Sequence, residues 1–328
     1  LTVRCAGPRY FWPAGKGDIR PMLQALELDA KAQGKPLSFY ALTEAEKERL
    51  EQLYPGKFTF TLARDGFDYC YDIHRLADLT GKKLHAKRNH IHRFEERYPD
   101  WTVEEISAEN LPECIQLNEE WEAAAAAAGH EDWNAHQGCE ALRRCLIHQQ
   151  ELGLEGLLLR ADGKPVAFTA GKSLGGDTYD VFFEKAHSEI QGAYPMINQQ
   201  FVLHACEGFS YINREEDTGD PGLRKSKLSY FPDILLKKYR AVQSDVVFAL
   251  SSEKEEIAEI WQKCFGDTKE EITCYFETYF TEQNMLVIHE DGKVATMASF
   301  LPAELSIGEE KSFPARYVYA VATRPEYR

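Results

Sequence analysis

Residues 211–230 read Tyr-Ile-Asn-Arg-Glu-Glu-Asp-Thr-Gly-Asp-Pro-Gly-Leu-Arg-Lys-Ser-Lys-Leu-Ser-Tyr. Tyr211, Ile212 and Asn213 read as a short strand, and the chain then breaks into a segment that packing alone does not require. Gly219 and Gly222 permit backbone angles that other residues avoid, and Pro221 fixes one torsion between them, so a shaped loop is expected. Arg214, Glu215, Glu216 and Asp217 precede the turn; Arg224, Lys225 and Lys227 follow it. These charges either pair with one another and pin the loop or line a polar site, and the sequence leaves both readings open.

Outward from that stretch, the periodicity predicts helices over 110–129 and 139–152, with Asn110 as N-cap and Pro112 in the first turn. The run Ala123 to Ala128 favours helix and needs no function. A hairpin over 156–160 and 165–171 turns at Asp162-Gly163; then come a strand over 178–184, a helix over 192–208 and the strand at 211. The same order restarts after a junction at 241–245, with helices over 253–264 and 269–280, strands over 285–289 and 293–302 around Asp291-Gly292, and a last strand over 317–322. Asp162-Gly163-Lys164 and Asp291-Gly292-Lys293 fall at matching places, which predicts a duplicated module. Towards the N-terminus, 18–34 reads as a helix, and 43–53 as a helix with a Thr43/Glu46 capping box. Strands over 57–62 and 67–73 are expected to flank a turn at Asp65-Gly66.

At 328 residues the chain calls for two or three domains. A net charge of −15 argues against a general nucleic-acid coat and against DNA as a partner. Eight cysteines without a C-x-x-C pair support neither a zinc knuckle nor a redox motif, and a reduced, cytoplasmic setting is expected. No apolar run approaches the roughly 20 residues that span a bilayer. The exception to the acidic balance is 79–98, where Lys82, Lys83, Lys87, Arg88 and Arg93 surround a stripe of Leu84, Ile91 and Phe94. That segment reads as a solvated helix face or as an anion site for phosphates; His85, His90 and His92 have no carboxylate or cysteine at ligand spacing, and no metal is expected.

The order of two helices, a hairpin, a strand, a helix and a strand resembles the GNAT acyltransferase fold. There the strand after the hairpin splays from its neighbour, and acyl-CoA lies in the gap with its pyrophosphate on an R-x-x-G-x-G/A loop. Ala322-Thr-Arg-Pro-Glu-Tyr-Arg328 resembles the lead into that loop, with Arg328 at its first position. Both ends read as cut, since Leu1 is not an initiator Met, and acetyl-CoA is expected as a cofactor only of a chain continuing past Arg328. Residues 81–94, Phe183-Glu-Lys-Ala186, Gly192-Ala-Tyr-Pro-Met-Ile-Asn-Gln-Gln-Phe201 and 211–230 together resemble the bacterial family grouped with the C-terminal domain of phosphatidylglycerol lysyltransferases. That resemblance covers about residues 8–240. It implies an α/β (α+β) fold of tandem GNAT-like acyltransferase units, mixed central sheets flanked by helices, divided as 1–109 and 110–240, with a truncated acetyltransferase unit over 241–328. It also implies a relation to the peptidoglycan-bridge aminoacyltransferases, which take an amino acid from aminoacyl-tRNA.

Acyl transfer needs a proton acceptor near the nucleophile and a donor for the developing oxyanion. In the second unit the position of the CoA loop holds a single glycine, Gly192, which favours an acyl donor other than CoA. Glu184, at the end of its strand, is the expected base; its other reading is a partner of Lys185 or Arg224 that only holds the loop. Asn198, Gln199, Arg214, Asp217, Arg224, Lys227 and Tyr230 are expected to line the pocket, with Lys83, Lys87, Arg88 and Asn89 on the basic helix holding a donor phosphate. Carboxylates suit a substrate ammonium and the cations suit a phosphate or carboxylate. Three functions follow: an aminoacyl or acyl transferase with a lipid head-group or small-molecule acceptor, an acetyl-CoA-dependent N-acetyltransferase acting through 241–328, and a non-catalytic module for an anionic ligand.

Overall fold

The structure, a computed structural model, describes residues 2, 9–127, 133–173, 175–290, 292–307 and 311–327. The N-terminal part runs β1 (Arg9–Tyr10), α1 (Arg20–Ala32), β2 (Ser38–Leu42), α2 (Glu44–Leu53) and β3 (Phe58–Leu62). The capping box forms: the Thr43 side chain accepts from the Glu46 amide at 3.3 Å, and Glu46 accepts from the Thr43 amide at 2.7 Å. Next come β4 (Asp68–Asp72), α3 (Ile73–Asp78), α4 (His85–Arg97), β5 (Thr102–Glu105), α5 (Leu111–Ala127), α6 (Trp133–Ile147) and α7 (Gln149–Leu152). They are followed by β6 (Glu155–Ala161), β7 (Lys164–Ser173), β8 (Thr178–Ala186), α8 (Ala193–Ala205), β9 (Tyr211–Asn213), α9 (Pro221–Leu228), β10 (Ile234–Leu236) and β11 (Tyr239–Gln243). The chain ends with β12 (Val246–Phe248), α10 (Lys254–Phe265), α11 (Lys269–Thr278), β13 (Met285–Glu290), β14 (Lys293–Ile307) and β15 (Lys311–Thr323).

Three sheets result, ordered β1-β2-β11-β3, β10-β4-β9-β8-β7-β6-β5 and β12-β13-β14-β15. Backbone contacts divide the chain into 63–238 and a second unit made of 1–62 with 239–328. In the second unit Leu23, Leu26, Phe39, Leu42 and Leu50 form one core, and Ile257, Ile260, Trp261, Met285 and Met297 another.

The unit 63–238 holds the seven-stranded sheet, packed on both faces. Alternation along β6 and β7 sends Leu157, Leu159 and Ala167 to one face and Leu158 and Phe168 to the other. The first face carries Tyr69, Tyr71 and Tyr179 beneath Ile91 and Phe94 of α4 and Met196, Ile197 and Phe201 of α8. On the second face Cys114 and Leu117 of α5 and Leu142 and Leu146 of α6 close over Leu158 and Phe168. Burying each large apolar side chain contributes roughly 1.5–3 kcal/mol.

The structure differs from the sequence reading in several places, one being the expected junction at 241–245, which β11 (Tyr239–Gln243) enters as a strand paired with β2 and β3. Strands 58–62 and 68–72 form, but they enter different sheets instead of pairing, with a short 3-10 turn over Arg64–Gly66 between them. Residues 221–228, expected as loop, are a helix, because Asp220 caps its N-terminus and Pro221 occupies the first turn, where a missing N–H costs nothing. The helix expected over 139–152 is two helices, α6 and α7, broken at His148. The helix end at Gly129, the turn residue Asp291 and Arg328 lie outside the described residues. Among the described residues no helix is long and apolar enough to cross a membrane.

Candidate active site

Parallel strands β8 and β9 pair at three positions only: Thr178 with Tyr211, Tyr179 with Ile212 and Asp180 with Asn213. β8 continues to Ala186 with β7 on its other side, whereas β9 ends at Asn213 and turns away. β9 therefore pairs along its whole length, and past Asp180 β8 runs on without it, which leaves an opening. Across the opening, Glu184 Oε1 accepts from Arg214 Nη2 at 2.7 Å and Glu184 Oε2 accepts from Asn198 Nδ2 of α8 at 3.1 Å. The Arg214 and Glu184 side chains are only 10% and 12% exposed. The guanidinium also lies over Tyr230, 4.9 Å from the ring centroid, and over Tyr71 at 5.8 Å. Burial draws the Arg214 proton affinity down, but the facing Glu184 carboxylate outweighs it and leaves the group raised. Two buried atoms here have no partner among the described residues, Arg214 Nη1 and Asn198 Oδ1.

Lys87 reaches the same place from α4, its Nζ 3.9 Å from the Tyr230 centroid. Burial, with Arg214 alongside, brings it down to about 8 against the pull of Glu184. A second cluster sits at the pairing point, where Asp68, Asp180, Glu215 and Glu216 face Lys227 and Lys238. Burial and the neighbouring Asp68 push Asp180 up to about 6, and burial together with Asp180 pushes Glu215 up to about 8. Asp68 accepts from Lys238 at 3.0 Å and from Asn213 Nδ2 at 3.2 Å, while Asp180 Oδ1 is buried without a partner among the described residues. No group of three or more His, Cys, Asp or Glu among the described residues is arranged to hold a metal.

Residues 4–242 match the family described as phosphatidylglycerol lysyltransferase, C-terminal. The chain belongs to that family. Residues 247–328 match an acetyltransferase (GNAT) domain. An uncharacterized protein of Mycoplasmoides gallisepticum is 27% identical over 240 residues, covering 71% of this chain and 70% of that one. A conserved protein of unknown function from Bacteroides thetaiotaomicron, known from its crystal structure, is 39% identical with a TM-score of 0.66, over 72% of this chain and 79% of that chain. The C-terminal domain of a putative lysylphosphatidylglycerol synthetase from Agrobacterium fabrum shares the fold at 15% identity and a TM-score of 0.52, over 73% of this chain and 78% of that chain. Membership places the chain among GNAT-like transferases.

Seen as a member of this lysyltransferase family, the chain brings Glu184, Asn198, Arg214, Tyr230 and Lys87 together and gives other expected residues different work. Lys227 is 8% exposed, and its Nζ donates to the carbonyls of Arg214 at 2.6 Å, Glu215 at 3.2 Å and Glu216. Its donors are thus spent on shaping the loop. Asp217, fully buried, accepts from Arg224 Nε at 2.8 Å, Arg64 Nη1 at 3.1 Å, the Gly219 amide at 3.0 Å and the Tyr69 hydroxyl. Burial pushes Asp217 up, and those donors together hold it well below the usual carboxylate range. Arg224 also donates to Asp65 at 2.7 Å, so Asp217 and Arg224 are tied into an ion-pair network at this end of the loop. Arg88 holds the turn before α4 through the carbonyls of Leu79 and Gly81. Lys83 lies 5.2 Å over Phe231, Asn89 contacts His85 on the exposed side of α4, and Gln199 donates to the Ala77 carbonyl at 2.7 Å.

Gly192 has a physical reason other than phosphate approach. It adopts φ +92°, and a Cβ there would lie 2.4 Å from the His90 carbonyl oxygen and 2.8 Å from Phe94 Cβ. Helix α4 lies directly on the start of α8, the place where a GNAT fold otherwise receives a pyrophosphate. Tyr71 and Asp180 were missed from the sequence; their signal was the alternation along β4 and β8, which puts each on a defined face without naming its partners.

Proposed function

We propose that this chain transfers an aminoacyl group from an aminoacyl ester, with aminoacyl-tRNA as donor, to an amine or hydroxyl of a lipid head group or small molecule. The reading rests on the end of the β8–β9 ladder, past which Glu184 and Arg214 face each other while Arg214 Nη1 and Asn198 Oδ1 have no partner among the described residues. The acceptor N–H or O–H attacks the ester carbonyl; a C–N or C–O bond forms as the C–O bond to the ribose breaks. Arg214 Nη1 donates to the oxyanion, Glu184 takes the proton from the nucleophile, and the proton ends on the departing ribose oxygen. Lys87 supplies positive charge beside Arg214 for the donor phosphate, and Asp180 supplies a carboxylate for an ammonium on the acyl group, with the largely protonated Glu215 beside it as a further oxygen. The start of α8, covered by α4, supports a donor other than CoA in this unit. The reading keeps 1–109 and 110–240 as paired units and 241–328 as a third.

The test uses tRNA charged with radiolabelled lysine, with phosphatidylglycerol vesicles and a soluble diamine as alternative acceptors. Wild-type protein transfers label; Glu184→Gln slows transfer by about 10²–10⁴ and Arg214→Met by about 10²–10³. Equal transfer by all three proteins would overturn the assignment of the site. The match of 247–328 to an acetyltransferase domain favours a second reading, acetyl-CoA-dependent N-acetylation, which gains if only labelled acetyl-CoA transfers its label.

A further inference from the structure

The residue after Glu184 points to the opposite face of β8 and carries chemistry that the proposed reaction does not use. Lys185 Nζ lies 3.1 Å from the centroid of the Trp121 indole on α5, and among the described residues it makes no hydrogen bond or ion pair. Among the described residues, the titratable groups facing it are Cys139 of α6 and Glu122 of α5. Glu122 is engaged with the Cys139 thiol, which burial raises above its usual value. Among the described residues Lys185 makes no ion pair, and burial brings it down to about 8 although Cys139 and Glu122 pull the other way. On α5, three residues before Trp121, Asn118 is 2% exposed. Its Nδ2 donates to the Cys139 carbonyl at 3.2 Å, while its Oδ1 has no partner among the described residues. The Trp121 indole is fixed from behind, because Nε1 donates to the Tyr194 hydroxyl at 3.0 Å.

We propose that the space between α5 and β8 at Lys185, Trp121 and Asn118 binds a small oxyanion that carries its own N–H or O–H donor. An ammonium held against an aromatic face keeps an electrostatic partner but no acceptor for its three donors. A buried amide oxygen without a donor is the complementary deficiency, and such groups are rare unless something fills them. One ligand meets both needs: an anionic oxygen on Lys185 and an adjacent N–H or O–H on Asn118 Oδ1. Inorganic phosphate in its protonated form and α-hydroxy or α-amino carboxylates share that chemistry; acetate has the anion without the donor. The site is separated by the strand from Glu184 and Arg214, so it stands whether or not aminoacyl transfer is the reaction.

The experiment labels the lysines of the full chain by reductive methylation with ¹³C-formaldehyde and titrates the Lys185 signal by NMR, assigned by its loss in Lys185→Arg. Phosphate, L-lactate and acetate are the probes. Phosphate or L-lactate at about ten times its Kd raises the Lys185 titration midpoint by about one pH unit, because the anion binds the protonated form. L-lactate binds about tenfold more tightly than acetate, a gap expected of one added hydrogen bond, and Asn118→Ala closes that gap. The melting temperature rises with ligand in wild type and not in Lys185→Met. An unchanged Lys185 midpoint with all three probes overturns the proposal, as does equal binding of acetate and lactate. Should Lys185→Met fail to fold, the wild-type titration and the Asn118→Ala comparison decide alone.

Discussion

Separating Glu184 from Arg214 tests how the opening between β8 and β9 is held. Their contact is 2.7 Å and almost out of solvent, so removing one member strands the charge of the other. Such a change costs about 3–5 kcal/mol, far more than the ~0–1 kcal/mol of an exposed pair. With a urea dependence of about 2 kcal/mol per molar, the unfolding midpoint of the 63–238 unit falls by roughly 2 M in either Arg214→Met or Glu184→Gln. The two variants then part company with pH. A lone carboxylate is neutralised by taking up a proton, so Arg214→Met recovers as the pH is lowered; a lone guanidinium cannot lose its charge, so Glu184→Gln does not recover. The double variant, with neither charge, comes back to within about 1–2 kcal/mol of wild type. The assay is urea unfolding followed by circular dichroism at pH 5 and pH 7.5. Single variants within about 0.5 kcal/mol of wild type at pH 7.5 would refute the buried-pair argument and make the contact an ordinary surface pair.

Two further outcomes follow from the same unit. Asp180 and Glu215 have folded-state values, about 6 and about 8, above their unfolded ones. Their contribution is therefore full at low pH and is lost as the pH climbs through those values, so the unfolding midpoint declines from about pH 5 to about pH 8; Glu215→Gln flattens the upper part of that decline in urea titrations across the range. Gly192→Ala places a methyl 2.4 Å from the His90 carbonyl at φ +92°. It costs about 2–4 kcal/mol through overpacking and left-handed strain, read as a fall in melting temperature; a wild-type value would mean that α4 can move aside at little cost.

Periodicity gave away the helix on which Lys87 sits and the order of strands around Glu184, because each depends on which face a residue turns. It gave away far less about partners. The segments 58–62 and 68–72 were legible as strands, yet nothing local says that they join different sheets, since alternation encodes a face and not a neighbour. Asp220-Pro221 carried a helix-start signal that was overshadowed by the flanking glycines, which made 221–228 read as loop. The candidate site was legible as a set of residue types around 184, 198 and 214. Their division of labour was not: Arg224 and Arg64 share one carboxylate, Asp217, across 153 positions of sequence in the Arg64 contact, and Lys227 binds backbone carbonyls that no pattern of side chains reveals. Trp121 over Lys185 joins positions whose proximity exists only once α5 lies on β8.

The brevity of the β8–β9 ladder has a mechanical side. Three rungs join the half-sheet β8-β7-β6-β5 to the half-sheet β9-β4-β10, and beyond the third rung the main chain no longer stitches the two together. Past that point cohesion passes to side chains, among them the shared core beneath α4 and α8 and the clasp between Glu184 and Arg214. A molecule that enters the opening and draws Arg214 away must therefore take over as the clasp or let the halves ease apart, so that gripping a ligand and holding the sheet closed become the same act.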